Sequence, residues 1–344
     1  SVVCFEQLVK PLLAWLCRVD AQKNPSRPVK LTRKTPSKLG QEEFLRLSIG
    51  RVGRELVATP LQRGAGLISS LTKAQGVARI PPDTEGLETG KELLAELLVP
   101  EQELDKTLVC VGSHDNTLDL LANELMALES PLRLSSTHVG SLGGLLALKN
   151  GTALLAGAHL YDPKSRDYNF PFIAKYLGDM EVLVVNLAVR HQGLIVPAGN
   201  PKGITGIRDL TRPEIRFINR QRGAGTRILF DDHLKNAGLR PENIKGYDQE
   251  EYTHMAVAVN VLSRAADCGL GIHAAAKALE LDFVPVAKER FDLIIPAIYR
   301  DDPKITTLLD LVRQPKIQAG ILELGGYETN LSGRIMQPEE GLGD

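Results

Sequence analysis

The chain is poor in the residues that would announce a metal or redox centre. Its four cysteines, Cys4, Cys17, Cys110 and Cys268, are scattered without any CxxC spacing. That excludes a zinc ribbon or a thioredoxin-type pair and fits thiols held reduced in a cytoplasmic setting. HxxxH and clustered Cys/His patterns are absent too, so a structural metal has no ligand set to use. No apolar run reaches the roughly 18 to 20 residues that span a bilayer. The apolar opening, SVVCFEQLVKPLLAWLCRV, is interrupted by Glu6, Lys10 and Pro11 and lacks the basic start and small-residue cleavage site of a signal peptide. Charge of one sign is missing as well. The formal net charge is −1, so no global field draws nucleic acid or an anionic membrane. No helix-turn-helix pattern offers direct DNA contact. Ser141 and His159 have no GxSxG elbow beside them to suggest a hydrolase.

What is present is length and a change of texture. At 344 residues the chain exceeds one ordinary domain, and two or three are expected. It opens on Ser1 rather than Met, and the expectation is a piece of a longer polypeptide. Phe5, Leu8, Val9, Leu12, Leu13 and Leu16 recur at helical spacing and predict a helix whose packing partner is partly missing. Pro25, Pro28 and Pro36 then mark a linker. From Val29 to Val99 short strands alternate with glycine turns. Leu45, Leu47 and Ile49 alternate with Phe44, Arg46 and Ser48 as a half-buried strand requires, and a small β-barrel or sandwich is predicted. The turn holding Gln62, Arg63, Gly64, Ala65 and Gly66, followed by Ser69 and Ser70, reads first as a tight barrel turn and second as a phosphate or pterin contact. After Pro100 strands and helices alternate, which predicts a parallel-type sheet with ligand-facing loops at the strand ends.

Polar residues recur at those ends. Ser113, His114 and Asp115 follow one strand, Gly140 and Ser141 stand before a helix, and Gly157, Ala158 and His159 follow another strand. Each reads as a helix cap or turn residue when taken alone, and as an oxyanion contact when they converge. The densest stretch is Phe217–Asp232, FINRQRGAGTRILFDD. There Arg220 and Arg222 come before a turn made pliable by Gly223 and Gly225, Thr226 is expected to cap a helix beginning near Arg227, and Arg222 and Arg227 are expected to add charge. Glycine turns and helix N-termini present N–H groups and partial positive charge to anions. His254, at the start of another helix, completes the candidate set.

Two resemblances carry these readings further. SKLGQEEFLRLSIGRVG with PLQRGAGLISSLTKAQGVARIPPDTEGLETGKELLAELL resembles the C-terminal β-barrel of MoeA-type molybdopterin molybdenumtransferases, the family that includes the gephyrin E domain. The opening helix resembles the end of the domain preceding it. GSHD, HVGSLGGL, GAHLYD, NRQRGAGTR, YTHMAVA, ADCGLGI, LDFVPVAKERFDL and GGYETNLSGRI resemble a type II periplasmic-binding-protein fold, of the kind related to molybdate-binding proteins and LysR substrate-binding domains. These resemblances imply a multidomain chain: a helix left from a preceding domain (1–24), an all-β barrel (25–102), and a two-lobed α/β ligand-binding domain (103–338). Lobe 1 is placed at about 103–190 and 288–338, and lobe 2 at about 191–287. They also imply a role in molybdenum cofactor biosynthesis, a small anion such as molybdate or tungstate in an interlobe cleft, and no covalently bound cofactor. Molybdopterin is implied as a substrate of the full-length protein, the metal-transfer chemistry being expected upstream so that this chain is inactive alone. Molybdopterin or another phosphorylated molecule in the cleft, and a ligand-sensing regulatory role, stay open as alternatives. Upstream domains of the same family and a homodimer are the implied partners.

Overall fold

In the computed structural model, residues 4–20, 24–61 and 72–342 are described. The turn Gln62–Ser70 lies outside them. The chain divides into two compact units. The first comprises Ser1–Val109 with Leu132–Thr137 and Asn150–Ala153, and the second holds the remainder.

In the first unit a single π-helical turn, Phe5–Val9, runs into α1 (Lys10–Cys17), which ends at Arg18 in the left-handed region with φ of 53°. Phe5, Leu8, Val9, Leu12, Leu13 and Leu16 are all exposed, so the apolar face read from the sequence exists without burial. Five strands follow: β1 (Ser26–Leu31), β2 (Glu43–Val52), β3 (Glu55–Pro60), β4 (Gly76–Ile80) and β5 (Glu92–Leu97). They close into a barrel in the order β1-β3-β2-β4-β5. Every pairing is antiparallel except that of β1 with β3. Closure leaves no free sheet edge. The alternation in β2 sends Leu45, Leu47 and Ile49 inward, where they join Val29, Leu31, Leu56, Ala78, Ile80, Ala95 and Leu97 in one apolar core.

β6 (Thr107–Gly112), the apolar run TLVCVG, is buried throughout and passes from the first unit into the second after Val109. Asp115 caps α2 (Asn116–Met126) by accepting from the Thr117 N–H at 2.9 Å. Then come β7 (Arg133–His138), which belongs to the first unit up to Thr137, and, in the second unit, α3 (Gly140–Lys149), β8 (Ala156–Ala158) and α4 (Phe170–Leu177). Ser141 therefore lies inside the first turn of α3 and not before the helix, because Gly140, with φ of +79°, already opens it.

Two 15-residue strands, β9 (Val182–Val196) and β12 (Asp282–Pro296), form the spine. They pair antiparallel from Val182 opposite Pro296 to Val196 opposite Asp282, with irregularities between Asn186 and Ala188 and between Gln192 and Gly193. The second of these strands runs from FVPV without a break through the FDLIIP run. Between them the chain forms β10 (Phe217–Arg220), α5 (Gly225–Asn236), α6 (His254–Leu262), β11 (Cys268–Ile272) and α7 (His273–Ala278). The sheet runs β8-β12-β9-β11-β10 and ends on the short strand Glu250–Glu251. Phe217, Phe230, Leu234, Ile244, Cys268 and Leu270 form the core on the β10 side. After β12, α8 (Pro303–Arg313) and α9 (Pro315–Leu324) lead to β13 (Tyr327–Glu328), which pairs with β9.

Candidate functional site

The middle of the β9/β12 ribbon carries a buried charge cluster. Arg190 on β9 sits opposite Glu289 on β12 in the strand register and is 1% exposed. One guanidinium nitrogen, Nη1, donates to Asp115 Oδ2 at 2.8 Å, and Nη2 donates to Glu289. The guanidinium also lies over the Phe291 ring, 4.8 Å from its centroid. Asp115, the cap of α2, further accepts from the Thr117 hydroxyl at 2.6 Å and the Tyr327 hydroxyl at 3.1 Å. Burial pushes the Asp115 carboxyl up, but Arg190 and the Thr117 bonds overcome this and hold it below its ordinary value. For Glu289 burial is likewise outweighed, by Arg190 and His159, and its carboxyl falls to about 2.

His159 joins this cluster to the polar strand ends. Its Nδ1 lies 3.2 Å from Glu289 Oε2, so it donates to the ionised carboxylate, and its backbone N–H donates to Ser141 Oγ at 3.1 Å. Ser141 Oγ in turn lies 2.8 Å from Ser113 Oγ. One hydroxyl proton suffices for that mutual bond, which leaves the other free to donate outward. The ring of His159 packs on the N-terminus of α5. A Cβ placed at Gly225 would lie 2.7 Å from His159 Nδ1 and 2.9 Å from its carbonyl oxygen, so only glycine allows this approach. Next to it, Thr226 is the second residue of α5 and accepts from Gln192 Nε2 at 3.1 Å. Thr226 does not cap the helix. The cap position is Ala224, which has no side chain able to bond, so the first N–H groups of α5 are left for another acceptor.

Arg220, the last residue of β10, is 7% exposed. Its Nη1 donates to the Glu251 carbonyl at 3.0 Å, and its Nε has no partner. No carboxylate among the described residues forms a salt bridge with it. Burial, and then the like charge of Arg190, lower it to about 10 despite Glu289 and Glu251. Beside it, His254 is half-buried as a residue, but its Nδ1 is enclosed and likewise without a partner. Burial and the surrounding cations, Arg220 first and then Arg190, hold this imidazole well below its ordinary value.

The structure thus brings together Ser113, Ser141, His159, Gly225, Thr226 and His254 from the residues expected on sequence grounds. It places the others elsewhere. Arg222 is exposed and paired with Asp248 at 3.1 Å and Glu250 at 3.4 Å. Gly223 forms a turn at φ of +84° facing open space. Arg227 is buried, but its charge is taken by Glu250 and by Asp231 at 3.8 Å, and it stacks over Tyr247 at 4.6 Å. His114 lies at the margin, edge-on to His138 at 4.2 Å and 3.1 Å from Asp119. Sequence reading missed Arg190, Gln192 and Glu289, and it noticed Asp115 and Arg220 beside the candidates without keeping them in the set. Among the described residues no group of three or more His, Cys, Asp or Glu side chains could hold a metal ion. No helix among them is long and apolar enough to cross a membrane.

Comparison with known proteins agrees with this architecture. A family profile described as PBP superfamily domain matches residues 122–313, and one described as MoeA C-terminal region (domain IV) matches residues 28–98. The uncharacterized protein YvgK of Bacillus subtilis is 33% identical over 241 residues, 69% of this chain and 77% of its own length. A second relative, an uncharacterized protein from the 5′ region of a 2Fe-2S ferredoxin gene of Clostridium pasteurianum, is 32% identical over 110 residues. That alignment spans 32% of this chain and 97% of the relative. Among solved structures, an ABC-type phosphate transport receptor from Vibrio cholerae superposes with a TM-score of 0.44 at 16% identity, covering 67% of this chain and 100% of the receptor. With the profile spanning more than half of its residues, the chain belongs to the family of PBP superfamily domains, here fused to a MoeA C-terminal region.

Proposed function

We propose that the cleft gathered around Arg220 captures a small tetrahedral oxyanion, molybdate or tungstate in the first place, in the service of molybdenum cofactor assembly. The observation that carries this reading is Arg220 itself: a buried guanidinium with an unpartnered Nε and no carboxylate bonded to it among the described residues. A buried cation left without a partner is costly, and an arriving anion removes that cost. The outward hydroxyl of the Ser113/Ser141 pair, the uncapped start of α5 and the His254 ring supply the remaining donors. The carboxylates of Asp115 and Glu289 are engaged by Arg190, Thr117, Tyr327 and His159. Neither is left to accept a proton from a protonated ligand, which supports a fully ionised oxyanion over monohydrogen phosphate.

The MoeA C-terminal region supports the molybdenum context. In this reading the chain works in the cytoplasm as a homodimer beside further domains of the same family, and does not by itself insert metal into molybdopterin. Isothermal titration of the purified chain with molybdate, tungstate, sulfate and phosphate is the test. Heat with the first two and weaker binding of phosphate is expected, and no heat with any of the four discards the reading. Tighter binding of a phosphorylated pterin than of molybdate would transfer the site to an organic phosphate.

A further inference from the structure

The charges fixed in this cleft already cancel before any ligand enters. Arg190 and Arg220 are matched in number by Asp115 and Glu289. A dianion placed against Arg220 therefore brings two negative charges into a buried site that has no spare cation for them. Burial makes such an imbalance far more expensive than it would be in water. The group able to correct it is His254, at the first turn of α6, with an enclosed Nδ1 that has no hydrogen-bond partner.

Resting on the oxyanion reading above, we propose that anion capture is coupled to proton uptake, with His254 taking the proton and donating from its ring to the bound anion. In the free protein the ring is held neutral, since burial and the cations around it both disfavour a charge there. The charged and titratable groups around it are Arg220 from β10, Arg190 from β9, His159 from the end of β8 and His114 from the end of β6, and none of them stabilises an imidazolium. The carboxylates of the neighbouring elements are held by other groups: Glu289 by Arg190 and His159, and Glu251, on the edge strand before α6, by Asn260. A dianion reverses that balance by placing opposite charge against both Arg220 and His254. The imidazole carries one more proton in the bound state than in the free state, so affinity rises as pH falls. The ligand class follows as well. The anion must stay fully ionised in the range where histidine titrates, as sulfate, molybdate and tungstate do.

The experiment is calorimetric titration of the full chain with sulfate and with tungstate, between about pH 6 and pH 8, in two buffers of unlike ionisation heat. Uptake approaching one proton per anion is expected, and the dissociation constant should rise by up to about tenfold per pH unit. In His254→Gln, binding at the acidic end should weaken and the pH slope should flatten. Binding without proton uptake overturns the coupling while leaving the oxyanion reading intact. Undiminished uptake in a folded His254→Gln protein overturns the assignment to His254. Absence of heat with either anion at every pH overturns both. Should the variant fail to fold, histidine ring resonances of the wild-type chain serve instead. A shift of one buried ring to its protonated position on adding tungstate supports the proposal, and no shift in any ring at a tungstate concentration that saturates the calorimetric signal refutes it.

Discussion

Arg190 and Glu289 face each other across the two paired crossings of the second unit, and their charges meet where the ribbon is fully buried. Removing the arginine leaves Glu289 and Asp115 ionised and without their shared cation. Arg190→Met is expected to cost about 3–5 kcal/mol of stability, as broken buried ion pairs do. Urea denaturation followed by circular dichroism measures this. A loss below about 1 kcal/mol would mean that Tyr327, Thr117 and His159 suffice to hold both carboxylates.

Arg220 predicts the opposite pattern. Because its guanidinium is buried beside Arg190 and bonded to no carboxylate among the described residues, Arg220→Met should leave the melting temperature unchanged or raise it. The same substitution should weaken oxyanion binding by roughly tenfold to a hundredfold, the worth of a charge-assisted hydrogen bond. Paired thermal melts and titrations separate the two effects. A protein that loses stability and keeps its affinity would place Arg220 in the framework and not at the ligand.

At Gly225 the prediction is steric. A methyl group there meets the His159 ring and its carbonyl oxygen at 2.7 and 2.9 Å, and the backbone oxygen cannot rotate away. Gly225→Ala should therefore push α5 from the end of β8, at a cost of about 1–3 kcal/mol, and lower the affinity for the anion. Small-angle scattering of the variant should show a more open second unit. Scattering and affinity both equal to wild type would show that the contact yields freely.

Acid should weaken the fold in two stages. The free His254 ring is held below its ordinary 6.5, so below about that pH the unfolded chain binds a proton that the folded chain does not, and stability declines. Glu289, with its carboxyl lowered from 4.5 to about 2, contributes stability that is fully present above 4.5 and is lost as pH falls toward 2. Melting temperatures from neutral to acid pH, repeated for Glu289→Gln, check this. The variant should be less stable at neutral pH and should lose less of its stability on acidification.

The barrel and the strand–helix alternation were legible because periodicity reports burial directly. Leu45, Leu47 and Ile49 could face only one way. The site was less legible. Arg222 and Arg227 drew notice because they flank glycines, yet the flexible turn carries Arg222 outward to Asp248 and Glu250, and Arg227 turns back onto Glu250 and Tyr247. The arginine that stays buried near Arg190 and bonded to no carboxylate among the described residues is Arg220, at the end of a fully buried strand. A signal for the others was present: Arg190 is the lone charge within VLVVNLAVRHQGLIV, a strand otherwise free of charge. What no local pattern could supply is the pairing of residues 99 positions apart, since register is decided by the whole ribbon.

The two crossings bond to each other along nearly their whole length, so the second unit has no slack joint at its waist. The ladder slips twice, once between Gln192 and Gly193. Gly193 admits no side chain there, because a Cβ would come within 2.1 Å of the Val284 carbonyl oxygen. Gln192 is the residue that holds Thr226 at the start of α5. The irregularity of the ribbon therefore lies one hydrogen bond away from the first turn of α5, and a change of register there would be felt at that turn.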